Sequence, residues 1–170
     1  MDSRQVVAVV LLALAAGACR GPSERTVREA ILNYNRTVIE AYRTADPELV
    51  ESVAGPEEAR KITGLIGVRL DMGRVLEAEL LELAVEGVRR ERDGSVVATT
   101  RERWRYRERE LGSGRPTGPD SEDEYRIGYR LRRRGRAWIV DRTWFAAPPR
   151  VGRPLPGWEE GGRVDHGGGV

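Results

Sequence analysis

The hydrophobic period of this chain changes once, at Gly73, and that change limits the fold more than any other feature. Before it, Val27, Ile31, Tyr34, Val38 and Tyr42 recur at three- and four-residue steps and mark one apolar stripe of a helix. That helix starts at Ser23 or Thr26, where Thr26-x-x-Glu29 reads as a capping box. Asp46-Pro47-Glu48 restarts a short second helix, with Asp46 as N-cap and Pro47 in the first turn. Gly55-Pro56-Glu57-Glu58 stops it and opens a third, carried by Ile62, Leu65, Ile66 and Leu70 to about Met72. After Gly73 the period is two: Leu81, Leu83 and Val85 alternate with Glu82, Ala84 and Glu86, as in a half-buried strand. Helices first and strands after predict an α+β fold, with N-terminal helices packed on a curved antiparallel sheet.

The strand half has clear punctuation. Gly87 followed by Val88 shifts the parity and predicts a bulge. Arg92-Asp93-Gly94-Ser95 is a hairpin turn, and the next strand runs from Val96 to about Arg109. Residues 111–123 are rich in Gly, Pro, Ser and Asp and read as a mobile loop. A third strand follows over about 124–132, with Tyr125, Ile127, Tyr129 and Leu131 on one face. Arg133-Arg134-Gly135-Arg136 turns the chain into a last strand over 137–145. From residue 147 to residue 170 the chain is rich in Pro and Gly and is expected to be disordered. One domain over 24–146 results.

The amino-terminal end sets the compartment. A basic start, an apolar run from Val6 to Ala16 and small residues before a cysteine make a secretory signal over residues 1–18. The run is shorter than the roughly 20 residues a bilayer span requires. Ala16-Gly17-Ala18-Cys19 resembles the lipobox of bacterial lipoproteins. The resemblance implies cleavage before Cys19, lipidation of its thiol, and a short tether over 19–23. Acyl chains contribute roughly 0.8 kcal/mol per buried methylene, so two or more make attachment lasting. The expected setting is the extracytoplasmic face of a bacterial envelope, with a membrane as first partner through the anchor. An envelope protein, an anionic lipid surface and a second copy of the chain are further partner classes. Export removes nucleic acid from the list.

Three helices followed by a meander of long strands, closing on Arg136-Ala137-Trp138-Ile139-Val140, resemble the nuclear transport factor 2-like fold, a cystatin-like α+β cone. The stretch Ala54-Gly55-Pro56 through Glu77-Ala78-Glu79-Leu80-Leu81-Glu82-Leu83-Ala84-Val85 is similar to the C-terminal domain of plastid and cyanobacterial division proteins. The likeness covers about residues 25–145. It implies a sheet curled around the long helix to form a conical cavity. Neither group carries a fixed catalytic set, so no catalytic residue transfers.

Charge is uneven although the net is only +2. Residues 24–88 hold 13 acids against 8 bases, and residues 89–136 hold 9 against 15. The excess sits in a comb on the second strand: Arg101, Arg103, Arg105, Arg107 and Arg109, all at odd positions, with Arg126, Arg130 and Arg132 on the neighbouring strand. One reading is an anion-binding face, each arginine adding about 1 kcal/mol near an anionic membrane. The plainer alternative is a solvated outer face neutralised by Glu82, Glu86, Glu108 and Glu110.

The even positions of the same strand carry a candidate ligand pocket of Glu102, Trp104 and Tyr106, joined by Tyr125 and Tyr129. Glu102 inside the cone would pair with a tyrosine as an acid/base couple. Alternatively it sits at the rim beside an arginine. Asp141 has the same ambiguity. The only histidine is His166, in the tail, so histidine dyads, serine triads and histidine metal sites are excluded. No glycine-rich phosphate loop is present, and no cofactor or metal is expected. The leading expectation is a non-catalytic, membrane-tethered module that binds a partner or ligand, with a cone filled by aromatic and leucine side chains. A carrier or sensor of a small apolar ligand requires an open cone. A Glu/Tyr isomerase or dehydratase requires an open cone with Glu102 inside it.

Overall fold

The computed structural model describes residues 21–151. Cys19, the apolar run before it and the tail beyond Val151 lie outside the described residues. Helix α1 (Glu24–Thr44) starts at Ser23, whose hydroxyl accepts from the Thr26 amide at 3.1 Å. Ser23 is therefore the cap, and Thr26 is not. Glu29 turns to Arg25 instead, at 2.8 Å, as residues four apart on a helix do. The expected stripe is the buried face: Val27, Ile31 and Tyr34 are buried, and Val38 and Tyr42 pack against them.

Ala45 closes α1 in the left-handed region, at φ 56°. A short 3-10 turn follows (Pro47–Ser52), its first amide held by Asp46. Helix α2 (Pro56–Asp71) begins after Gly55, where a Cβ would come within 2.7 Å of the Asp141 carboxylate. That close approach explains the glycine.

Strands β1 (Arg74–Arg90), β2 (Val96–Glu110), β3 (Ser121–Arg134) and β4 (Ala137–Phe145) form an antiparallel meander in that order. β1 contains two register shifts, one between Leu80 and Glu82 and one between Val85 and Gly87. One bulge near Gly87 was expected; Leu81 and Glu86 are the two unpaired residues. Each adds a bend to a 17-residue strand and curls the sheet over α1. A third shift, between Arg130 and Leu131 on β3, leaves Asp141 out of register on β4.

β3 starts earlier than expected. Ser121, Glu122 and Asp123 already pair with Tyr106, Arg105 and Trp104 on β2, which shortens the loop to 111–120. The pull is electrostatic, since Arg105 takes Glu122 at 2.7 Å and Arg107 takes Asp120. The chain also continues beyond the expected boundary at Ala146: a two-residue strand, β5 (Arg150–Val151), pairs with Glu124 and Asp123.

Helices α1 and α2 cover the concave face of the sheet. The core between them includes Ile31, Val50, Ile66, Val96, Leu131 and Val140. Full burial of an aliphatic side chain of this kind stabilises by about 1.5–3 kcal/mol. Arg134 locks the 3-10 turn to β3 by donating to the carbonyls of Glu51, Ser52 and Ala54.

Candidate ligand cavity

The core does not fill the cone. A cavity of about 430 Å³ lies between α1, α2 and the inner sheet face, and it adjoins a second of about 600 Å³ toward the 111–120 loop. The two share Tyr42, Leu65, Leu76, Tyr106, Ile127 and Phe145 and so lie side by side, one at the apex and one at the mouth. The expected packed cone is thus corrected.

Glu102 lies inside. It is 2 % exposed, and among the described residues no arginine pairs with it, which corrects the alternative that placed it at the rim. Its even position on β2 faces it inward with Thr100 and Trp104. Oε1 accepts from Thr100 Oγ1 and from the Tyr129 hydroxyl, both at 2.7 Å. Oε2 accepts from Trp104 Nε1 at 2.8 Å. Three neutral donors thus compensate a carboxylate that water cannot reach. Tyr129 lies within 3.3 Å of the Asn35 amide, whose Nδ2 is buried with no partner among the described residues. The Tyr129 proton is committed to Glu102, so turning the Asn35 amide over would let Nδ2 donate to the Tyr129 oxygen.

A second buried carboxylate, Glu58, escaped the sequence reading. It accepts from the Tyr34 hydroxyl at 2.6 Å, and from the Thr143 amide and hydroxyl at 2.9 Å each. Lys61 stands 2.7 Å away and also donates to Thr143 Oγ1 at 2.6 Å. A signal was present: Glu58 shares the inward stripe of α2 with Ile62 and Ile66, four and eight residues on. It was masked because acids are ordinary in the first turn of a helix. The Tyr34 and Tyr129 rings meet edge to face, with centroids 6.2 Å apart, and so join the two carboxylate clusters.

The remaining pocket candidates line the outer part. Trp104 stacks on Tyr106 at 6.0 Å, and Tyr106 meets Tyr125 edge to face at 6.3 Å. Burial is the first cause that raises Tyr34, Tyr106 and Tyr129, with the Glu58 charge next for Tyr34, the Tyr125 neighbour for Tyr106 and the Glu102 charge for Tyr129. Burial also raises Tyr42, against the opposing pull of Arg69, and pushes Tyr125 up to about 12. All five are neutral hydroxyls near pH 7.

The arginine comb is on the convex face, away from the cavity, and it is interleaved with acids. Arg101 faces Glu82 and Glu86 at 3.9–4.0 Å, and Arg103 faces Glu82 and Glu122 at 3.8 Å. Arg105 bridges Glu79 and Glu122, Arg107 holds Asp120, and Arg109 holds Glu77 at 2.8 Å. Arg126 pairs with Glu86, Arg132 pairs with Asp141, and Arg130 lies across from Arg142. The acids come mainly from β1 and from 120–122; of those expected, Glu108 and Glu110 pair with Arg74 and Arg115. Trp144 covers this face at Gly128, where a Cβ would fall 2.1 Å from the indole. Among the described residues no His/Cys/Asp/Glu group has the spacing of a metal site, and no helix is long and apolar enough to cross a membrane.

Helices seated in a curled antiparallel meander define a cystatin-like α+β cone, the fold class expected. The chain is similar to the crystal structure of the intermembrane-space region of the chloroplast protein ARC6, with a TM-score of 0.65 at 15% identity. The likeness covers 74% of this chain and 98% of that one, and it is a likeness of fold. A protein with a cystatin-like fold from Caulobacter vibrioides matches at a TM-score of 0.44 and 16% identity, over 75% of this chain and 90% of that one. No protein-family model matches the chain, and no curated protein does.

Proposed function

We propose that this chain is a non-catalytic binding module of a bacterial cell envelope, held at a membrane through a lipidated Cys19, and that its cone carries a small apolar ligand. The observation that carries the reading is the open, aromatic-walled space of about 430 and 600 Å³, within the range of small-molecule pockets. The intermembrane-space setting of the ARC6 region fits a compartment outside the cytoplasm. The short apolar run ending in Ala-Gly-Ala-Cys supports the anchor.

The second reading, a Glu/Tyr isomerase or dehydratase, is favoured by the two Glu–Tyr pairs at 2.6 and 2.7 Å. Against it stands the engagement of every carboxylate oxygen. A general acid or base must reach the proton it moves. The Tyr129 and Tyr34 protons already rest on glutamates, and those glutamates already accept from other donors.

The test is titration with N-phenyl-1-naphthylamine, an apolar dye that fluoresces on burial. Saturable micromolar binding is expected. Ala78→Phe, which fills the inner cavity, should weaken it at least about tenfold; each added buried CH₂-sized group matters by roughly 0.8 kcal/mol. Leu65→Trp, at a half-exposed position on the wall, serves where Ala78→Phe does not fold. Binding that is equal in the filled variants, or no saturable binding, overturns the ligand reading. Mass spectrometry of the mature chain tests the anchor: an unlipidated Cys19 refutes it.

A further inference from the structure

We propose that the cone selects an organic cation, an amine or quaternary ammonium group on an apolar body; this rests on the ligand reading above. Charge and wall chemistry carry the inference independently of each other.

The charge account is unbalanced at the apex. Glu58 is matched by Lys61 at 2.7 Å. At the mouth Arg69 and Arg74 stand with Glu108 and Asp123, two of each sign. Glu102 has no cation among the described residues, since its partners Thr100, Trp104 and Tyr129 are all neutral. The donors satisfy the lone pairs of the carboxylate and set no positive charge against its own. In low-dielectric surroundings that charge acts over several ångströms, attracting a cation and repelling a carboxylate or phosphate.

The walls supply the second attraction. All five tyrosines, with Trp104 and Phe145, border the two adjoining cavities. Aromatic faces draw cations, most strongly where water is excluded. One such contact is already present: the Arg69 guanidinium lies 5.2 Å from the Tyr42 ring centre, at the junction of the two cavities. A ligand ammonium deeper in the cone meets further aromatic side chains of the same kind. The smaller cavity, bordered by Tyr34, Tyr129 and Trp104, takes a compact head, and the larger one leaves room for the apolar body.

The experiment displaces the naphthylamine dye from the full chain with three ligands of equal length, dodecyltrimethylammonium, dodecanol and dodecanoate, each below its micelle concentration. The Ala78→Phe chain, or Leu65→Trp, gives the background from the apolar amino-terminal run, which both proteins share. The ammonium is expected to displace the dye at a concentration at least about tenfold below dodecanoate, the size of a single desolvated cation–π contact. Dodecanol is expected between them. Glu102→Gln should shrink the gap to under about threefold; the wild-type series decides the matter where that variant does not fold. Equal or tighter binding of dodecanoate overturns the cation proposal, and so does failure of all three to displace a dye that binds saturably. In both cases the cavity still binds, and only absence of dye binding removes the ligand reading itself.

Discussion

Tyr129→Phe removes one buried hydroxyl from the cone. In the folded chain that hydroxyl donates to Glu102 Oε1 at 2.7 Å and lies beside the Asn35 amide. A hydrogen bond to a charged group is worth about 1.5–3 kcal/mol, and a buried acceptor left short of donors loses toward the upper end. We expect a loss of about 2–3 kcal/mol. For a domain of this size that shifts the urea midpoint by about 1 M at an unchanged slope. The assay is urea unfolding at pH 7 followed by circular dichroism. Thr100→Val removes the other Oε1 donor. The double variant should lose more than the sum of the two, because only Trp104 then faces the carboxylate; contacting residues couple by about 0.5–3 kcal/mol. A loss below about 0.5 kcal/mol together with an additive cycle would refute the reasoning, since Glu102 would then be satisfied by something other than these donors.

Three further outcomes are expected. Folded-state values of all five tyrosines are raised, chiefly by burial, so the folded chain keeps protons that the unfolded chain releases near pH 10. Stability is therefore intact below pH 10 and falls above it, by up to about 1.4 kcal/mol per pH unit for each of Tyr34, Tyr106 and Tyr129; Tyr125 stops adding near pH 12. Absorbance at 295 nm should stay flat through pH 10 and rise above it, with Tyr125 near pH 12 and the most buried tyrosines only as the fold is lost, and a five-tyrosine titration at 10 in folded protein would contradict this. Gly128→Ala drives a methyl into Trp144 and should destabilise by about 1–3 kcal/mol with a red shift of tryptophan emission, whereas unchanged emission would place the indole elsewhere. Ala45→Gly relieves a left-handed residue at the end of α1 and should raise stability by about 0.5–1 kcal/mol, read as a melting point a few degrees higher; a lower melting point would contradict it.

Much of this architecture was legible because local and long-range forces agree. The stripe from Val27 to Tyr42, the Pro47 and Pro56 starts, and the Asp93-Gly94 turn each have one low-energy solution, and the fold uses it. The parity of β2 likewise placed Glu102, Trp104 and Tyr106 on one face and the arginines on the other. What escaped depends on partners distant in sequence. Glu58 reads as a helix-start acid until Thr143, 85 residues later, brings its amide and hydroxyl to it. Leu81 follows Leu80 directly, where the apolar positions pass from even (Leu76, Ala78, Leu80) to odd (Leu81, Leu83, Val85), but only the register with β2 shows which residue is unpaired. The openness of the cone also lay beyond pattern reading, because it depends on how closely the helices and the sheet approach rather than on which residues face inward.

Those bulges also bear on how molecules of this kind coexist. β1 is a border of the sheet, and a straight border of 17 residues would offer neighbours a long ribbon of idle amides and carbonyls. The two interruptions divide it into runs of seven, four and four residues, from Arg74, Glu82 and Gly87. A stray strand docking there would lose step within a few bonds. The kinks that bend β1 thus also guard the flank against fibre-like growth, which matters for proteins crowded side by side.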